Sequence, residues 1–347
     1  MGDIDALWVE QALQDSHPGA KVEALSRAGG HSGTTTRERF EVVAPGTGIE
    51  SLFVKITPVG WPQRIFGHAM RLGEMEVRFY QELADRVPVR TPHVYAARAT
   101  PGHERFVLLL EDVAGSGTRF VELGDRAGEA EARAVVTALA SLHAGFWESP
   151  RFESDLAWLR CLERRGAELP IERFLTAQMV TQAVRRHGAA MPPCFERAAV
   201  LVRDHRDALE TRWSAGPRTL VHGDCHIGNL FFEGDTVGFL DWQVLARAPG
   251  LRDVGYFLSN SVPSEVAEKH EAELVELYCS ELRGAGIDAP SVEEAWTQYR
   301  AFALYGWLAA AFTVGAGGMQ DERNASAGLT RATRSIERLG STEVFDL

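Results

Sequence analysis

Residues 222–229 read His222-Gly223-Asp224-Cys225-His226-Ile227-Gly228-Asn229, and Asp241-Trp242-Gln243 begins twelve residues after Asn229. Short apolar runs at 219–221, 230–232 and 237–240, with a Glu233-Gly234-Asp235 turn between the last two, predict a small β-rich island around these polar groups. One hairpin therefore carries a carboxylate, an amide and a second carboxylate. Phosphoryl transfer asks little covalent chemistry of a protein. It needs the attacking hydroxyl oriented and Mg²⁺ holding the phosphate oxygens. In that reading Asp224 is the candidate catalytic base. Asn229 offers an amide oxygen to metal, Asp241 supplies the carboxylate that links metal to nucleotide phosphates, and His222 braces the loop.

Each residue taken singly has a commoner use: Asp and Asn make turns, and an Asp can simply end a strand. The set is harder to explain that way, because the residues occur in order beside the apolar runs a hairpin needs. His222 and His226 are four apart but fall in a loop, and no HxH or HExxH ligand set is present, which argues against a metal-dependent hydrolase.

Upstream, strand-like runs at 21–26, 37–44, 51–57 and 105–111 surround one long helical pattern at 66–86. Gly46-Thr47-Gly48 predicts a hairpin turn, and Gly29-Gly30-His31-Ser32-Gly33-Thr34 is expected to join two strands. Small residues there would let backbone N–H groups approach phosphates at Gly30, Ser32 and Gly33, although the same stretch would serve as an ordinary turn. Downstream of an Ala-Gly-Ser-Gly-Thr crossing at 114–118 the pattern is mainly helical, with helices expected at 129–146 and 195–213. This predicts an α+β chain with a lobe boundary after residue 112: a β-rich N-lobe (1–112) and a larger, mainly helical C-lobe (113–347).

The HGDCHIGN and LDWQ segments resemble the catalytic and metal segments of the aminoglycoside phosphotransferase and choline kinase superfamily. DWQ is also similar to the form seen in ecdysteroid-kinase-like members. The resemblance implies a bilobal protein-kinase-like fold and a small-molecule kinase using ATP or GTP with Mg²⁺. Gly223 stands where protein kinases have the Arg of HRD, so no phosphorylation-controlled activation loop is implied. Lys55, in the apolar strand 52–56, resembles the lysine that binds nucleotide phosphates. Glu76 matches the family's ExxFY helix, whose Glu directs that lysine, with Glu74 as the competing choice. Glu76, Phe79 and Tyr80 share a helical face by their spacing. Residues 107–113 resemble the segment linking the lobes, where backbone groups of Glu111 and Val113 would meet the purine. Asp253 resembles the family's brace for the catalytic loop, and helix N-capping is the alternative for it. His143, in a helix motif similar to one common in the family, reads as a core histidine.

The acceptor is expected to be a small molecule with a hydroxyl, such as an aminoglycoside, choline or another metabolite. Trp158, Trp296, Tyr299, Tyr305 and Trp307 are candidate pocket walls, though such aromatics are more often core. A non-catalytic nucleotide-binding regulator is the rival reading. The 347 residues carry 36 Lys and Arg against 48 Asp and Glu, a net charge of -12, and no basic stripe, so nucleic acid is not an expected partner. Cys161, Cys194, Cys225 and Cys279 form no CxxC pair, which points away from zinc and disulfides and towards a cytoplasmic location. The start of the chain lacks a basic segment followed by an apolar one, and the stretch 301–319, with four glycines, reads as a buried helix and not a membrane span. Oligomeric state is left open.

Overall fold

A computed structural model of the chain describes residues 4–32, 35–114, 117–121, 127–161, 169–317 and 322–345. It divides into two compact units, Met1–Arg119 with Leu240–Val244, and Phe120–Phe239 with Leu245–Leu347. The linear reading drew one cut after residue 112. The observed units interleave, because five residues carrying the DWQ motif pack with the first unit.

The first unit begins with α1 (Ala6–Leu13), whose cap Asp5 accepts a hydrogen bond from the Trp8 N–H at 2.8 Å. Strands β1 (Ala24–Ser32), β2 (Thr36–Val43) and β3 (Ser51–Ile56) follow, then helices α2 (Trp61–Ala69) and α3 (Leu72–Glu82), then β4 (Val94–Ala99) and β5 (Phe106–Glu111). The five strands form an antiparallel sheet of order β1-β2-β3-β5-β4. Period-two alternation sorts its two faces. Phe40, Val42, Leu52, Val54, Val107 and Leu109 join one core with Val9, Ala12 and Leu13 of α1. Each fully buried Val, Leu or Phe side chain among them contributes about 1.5–3 kcal/mol of transfer free energy. The opposite parity carries Arg37, Lys55 and Leu108, which are successive cross-strand partners.

Three local expectations change. The single helix at 66–86 is two helices, because Arg71 takes a left-handed φ of 50° between them. β4 was missed. Gly29 to Ser32 lie inside β1, paired with Arg39 to Thr36 after a bulge between Arg27 and Gly29, so the glycines serve the strand.

The chain crosses to the second unit within β6 (Thr118–Phe120). There follow α4 (Glu129–Ala144), β7 (Arg160–Cys161), α5 (Leu169–His187), α6 (Pro193–Asp204) and α7 (Arg206–Trp213). The helix expected at 195–213 is broken at His205, which is exposed and leaves the helical region at φ -126° and ψ 31°. Strand β8 (Thr219–Val221) precedes the hairpin β9 (Leu230–Glu233) and β10 (Thr236–Phe239), which turns at Gly234 with a φ of 59°. β11 (Ala246–Ala248) pairs antiparallel with β8 and parallel with β7.

Helices α8 (Leu251–Asn260), α9 (Ser264–Gly284), α10 (Val292–Ala316) and α11 (Glu322–Arg338) complete the unit. Every residue of α8 is buried. It approaches α10 closely: a Cβ on Gly255 would lie 2.8 Å from that of Phe302, and one on Gly306 would lie 2.2 Å from Ser259 Oγ. Only glycine fits at those two crossings. Among the described residues, no helix is long and apolar enough to cross a membrane.

Candidate active site

Two polar clusters, one in each unit, collect most of the candidate residues. In the first, strand parity places Lys55 on the face of the sheet opposite α1. Its ammonium is almost fully buried and donates to Glu76 Oε1 at 2.6 Å and to Asp241 Oδ1 at 3.0 Å. Glu76 is fully buried on α3. Burial pushes its carboxyl above the ordinary value against the pull of Lys55, and the nearby Asp241 charge adds to the rise. Its Oε2 is buried and accepts no hydrogen bond from the described residues. Glu74 is committed elsewhere, bound in a fork by Arg71 at 2.8 and 2.5 Å.

Asp241 reaches this cluster because the next residue anchors the segment. The Trp242 ring stacks on Phe79 of α3, with centroids 4.0 Å apart and planes 9° from parallel. Glu76 and Phe79 are three residues apart on one helix face, so α3 aims the lysine's partner and seats the DWQ segment together. Asp241 has a left-handed φ of 63°, uncommon for a side chain with a Cβ. Such backbone strain, of order 1–3 kcal/mol, persists where surrounding packing enforces it. A fourth member, Arg37, carries no sequence signal, and its Nη2 donates to Asp241 Oδ2 at 2.6 Å.

The second cluster is the loop 222–229, held from below by α8. Asp253 Oδ2 accepts from the His222 N–H at 2.7 Å, and its Oδ1 accepts from the Gly223 N–H at 2.9 Å. Gly223 needs its φ of 87° to present that N–H. His143 Nε2 lies 3.3 Å from Asp253 Oδ2, while the Tyr278 hydroxyl lies 2.8 Å from His143 Nδ1. Burial alone would raise the Asp253 carboxyl. The hydrogen bond from His143, with the electrostatic pull of His143, His222 and Arg252, holds it below its ordinary value. Asp253 therefore braces the loop in this structure, and the helix cap of α8 is Gly250.

Within the loop, Asp224 accepts twice. Its Oδ1 takes a hydrogen bond from the Tyr256 hydroxyl at 2.6 Å, and its Oδ2 takes one from Asn229 Nδ2 at 3.2 Å. Burial, with the Asp224 carboxylate beside it, keeps the Tyr256 hydroxyl protonated far above its ordinary range, so it donates. Asn229 Nδ2 also donates to the Asp224 backbone carbonyl at 2.9 Å, which turns its amide oxygen to the other side. His222 is fully buried, and its Nδ1 accepts from the Asp224 N–H at 3.2 Å.

Other expected positions fall differently. Gly30 is a strand residue paired with Glu38, and a Cβ there would sit 2.8 Å from the Arg37 carbonyl oxygen. The backbone of Ser32 ends β1, and Gly33 lies outside the described residues. The Glu111 N–H donates to the His93 carbonyl at 2.8 Å, and its carboxylate is gripped by Arg90 at 2.7 and 2.9 Å. Val113 is buried just beyond β5. Of the candidate wall aromatics, Tyr299 and Trp307 are core residues, bonded to Glu271 and Thr333. Tyr305 is half-buried and holds Arg252 at 2.5 Å.

The model of the phosphotransferase enzyme family matches residues 30–302, which include both clusters. The chain belongs to that family. Solved structures agree on the fold. A Ralstonia eutropha JMP134 protein provisionally named an aminoglycoside phosphotransferase superposes with a TM-score of 0.56 at 14% identity, covering 97% of each chain. Plasmodium vivax ethanolamine kinase gives 0.54 at 12% identity, covering 95% of this chain and 87% of that one. The GDP complex of aminoglycoside 2'-phosphotransferase-IIIa gives 0.52 at 13% identity, covering 96% and 99%. No curated protein matches the sequence. Within this phosphotransferase family match, Arg37 and Tyr256 are the contacts that sequence reading overlooked. Tyr256 had one readable sign: it lies three residues after Asp253, on the same side of a helix.

Proposed function

We propose that this phosphotransferase transfers the γ-phosphoryl group of ATP or GTP to a hydroxyl of a small molecule, with Asp224 as catalytic base. The observation that carries the reading is the buried Lys55, fixed by Glu76 at 2.6 Å and Asp241 at 3.0 Å. A desolvated ammonium aimed by two carboxylates suits the binding of nucleotide phosphates. In this reading Gly30, Ser32 and Gly33 cover the phosphates, and backbone groups at Glu111 and Val113 receive the base.

Asn229 and Asp241 offer the hard oxygen donors that Mg²⁺ prefers, and Asn229 already has its amide nitrogen turned to Asp224. Bound Mg²⁺ would neutralise and align phosphate oxygens for in-line transfer. Asp224, held on both oxygens, receives the hydroxyl proton, so the acceptor oxygen attacks as the bond to the leaving diphosphate breaks. No covalent enzyme intermediate is involved. The acceptor is a free small molecule and not a nucleic acid or a lipid bilayer, and four scattered cysteines with no CxxC pair suit a reducing cytoplasm.

The test is nucleotide consumption by purified protein with Mg²⁺ across aminoglycosides, macrolides, choline, hydroxylated lipids and sugars. Acceptor-dependent diphosphate release is the expected result. Nucleotide binding with no transfer to any acceptor would favour the regulator reading, and no binding at all would remove the assignment.

A narrower prediction concerns Tyr256→Phe. The change deletes the 2.6 Å bond to Asp224 and leaves the ring in place. A lost charge-assisted hydrogen bond of about 1.5 kcal/mol predicts a roughly tenfold lower kcat. KM for nucleotide should not move. Equal losses in kcat and nucleotide affinity would show that Tyr256 merely supports the fold.

A further inference from the structure

Arg37 and Lys55 face each other directly across β2 and β3, and both reach Asp241. Like charges opposed on a sheet are unfavourable unless an anion holds them. Here Asp241 does so, giving Oδ1 to Lys55 and Oδ2 to Arg37. The two cations are not equivalent. The Lys55 side chain is 4% exposed and is also tied to Glu76, whereas that of Arg37 is 37% exposed. A pair with one partner partly in water is weak, of order 1 kcal/mol or less, so the Arg37 bond is the one that can be exchanged. The guanidinium's planar fork also fits phosphate oxygens better than an ammonium does.

Resting on the reading of Asp241 as a metal ligand, we propose that Arg37 is a resident counter-cation. It yields the Asp241 carboxylate to a divalent cation and passes to the phosphate oxygens of the nucleotide. Arg37 thus competes with metal and binds nucleotide, and its removal must shift the two affinities in opposite directions.

The test uses the full chain and two calorimetric titrations, Mn²⁺ without nucleotide and ADP in excess EDTA, on wild type, Arg37→Met, Arg37→Gln and Arg37→Lys. Mn²⁺ should bind about fivefold tighter to the Met and Gln variants, because the competing ion pair is gone. Metal-free ADP should bind them about tenfold more weakly, because a charge-assisted phosphate contact is lost. Arg37→Lys should keep the wild-type Mn²⁺ affinity and lose only part of the ADP affinity. Unchanged or weaker Mn²⁺ binding in both neutral variants overturns the competition, and unchanged ADP binding overturns the phosphate contact. Two neutral variants guard against a folding defect in one of them. Failure of the wild type to bind either ligand would remove the nucleotide reading itself, and this inference with it. Wild-type binding that the variants leave unmoved would remove only the role of Arg37.

Discussion

Asp224→Asn is expected to lower kcat by about three orders of magnitude, within the range for loss of a positioned general base. Nucleotide affinity should stay within about twofold, since the Lys55 cluster contains no atom of Asp224. A thousandfold loss corresponds to about 4 kcal/mol of transition-state stabilisation. The substitution is nearly isosteric, but it removes the charge and half of the accepting capacity. Asp224 accepts from Tyr256 on one oxygen and from Asn229 on the other. An amide can satisfy only one of them with its oxygen, and it turns a donor towards the second. The acceptor hydroxyl then has no carboxylate to receive its proton. The measurements are diphosphate release at saturating acceptor and ADP binding by calorimetry on the same preparation. Turnover within tenfold of wild type would remove Asp224 from the chemistry.

Much of the architecture was legible because hydrophobic period reports burial. Leu52, Val54, Val107 and Leu109 alternate with polar or opposite-facing residues, and they lie on the core face as that alternation requires. Backbone irregularities were not legible. Nothing in the run 66–86 forces Arg71 into a left-handed conformation, which splits one helical pattern into two. His205 occupied a helix-period position and proved exposed at a break, because spacing counts positions and cannot detect a change in axis. The glycines before Ser32 looked like a loop from composition alone, but pairing with β2 carries them as strand.

The polar clusters were legible as far as local order allowed. Asp224 and Asn229 are five residues apart, and their mutual hydrogen bond follows from one loop. Lys55, Glu76 and Asp241 are far apart in sequence. Motif order named them, and only the structure shows that Glu76 and not Glu74 meets the lysine. Arg37 was invisible because an arginine alternating with buried residues on a strand reads as solvated charge. His143 was read as a satisfied core histidine, and it is one, but its partner Asp253 makes it part of the support for the loop 222–229.

The network around Asp253 leads to a prediction about stability. Asp253 is fully buried and accepts from two loop N–H groups and from His143. Asp253→Asn points an amide N–H₂ at one of those donors and leaves it unsatisfied in the core. Breaking a buried charged network by altering one partner costs about 3–5 kcal/mol, a large share of a typical domain's stability. Urea unfolding at pH 7, followed by tryptophan fluorescence, should show the loss as a lower midpoint. The pH dependence has a definite sign. The folded carboxyl titrates below its ordinary value, so its contribution is complete above the unfolded value near 4 and fades as pH falls through the depressed folded value. The gap between wild type and Asp253→Asn should therefore narrow on acidification below about pH 4, because only the wild type has that charge to lose. A gap that is absent at pH 7, or that widens in acid, would mean the loop is held by its other contacts, such as the Ile227 N–H to Ser261 Oγ bond of 2.9 Å.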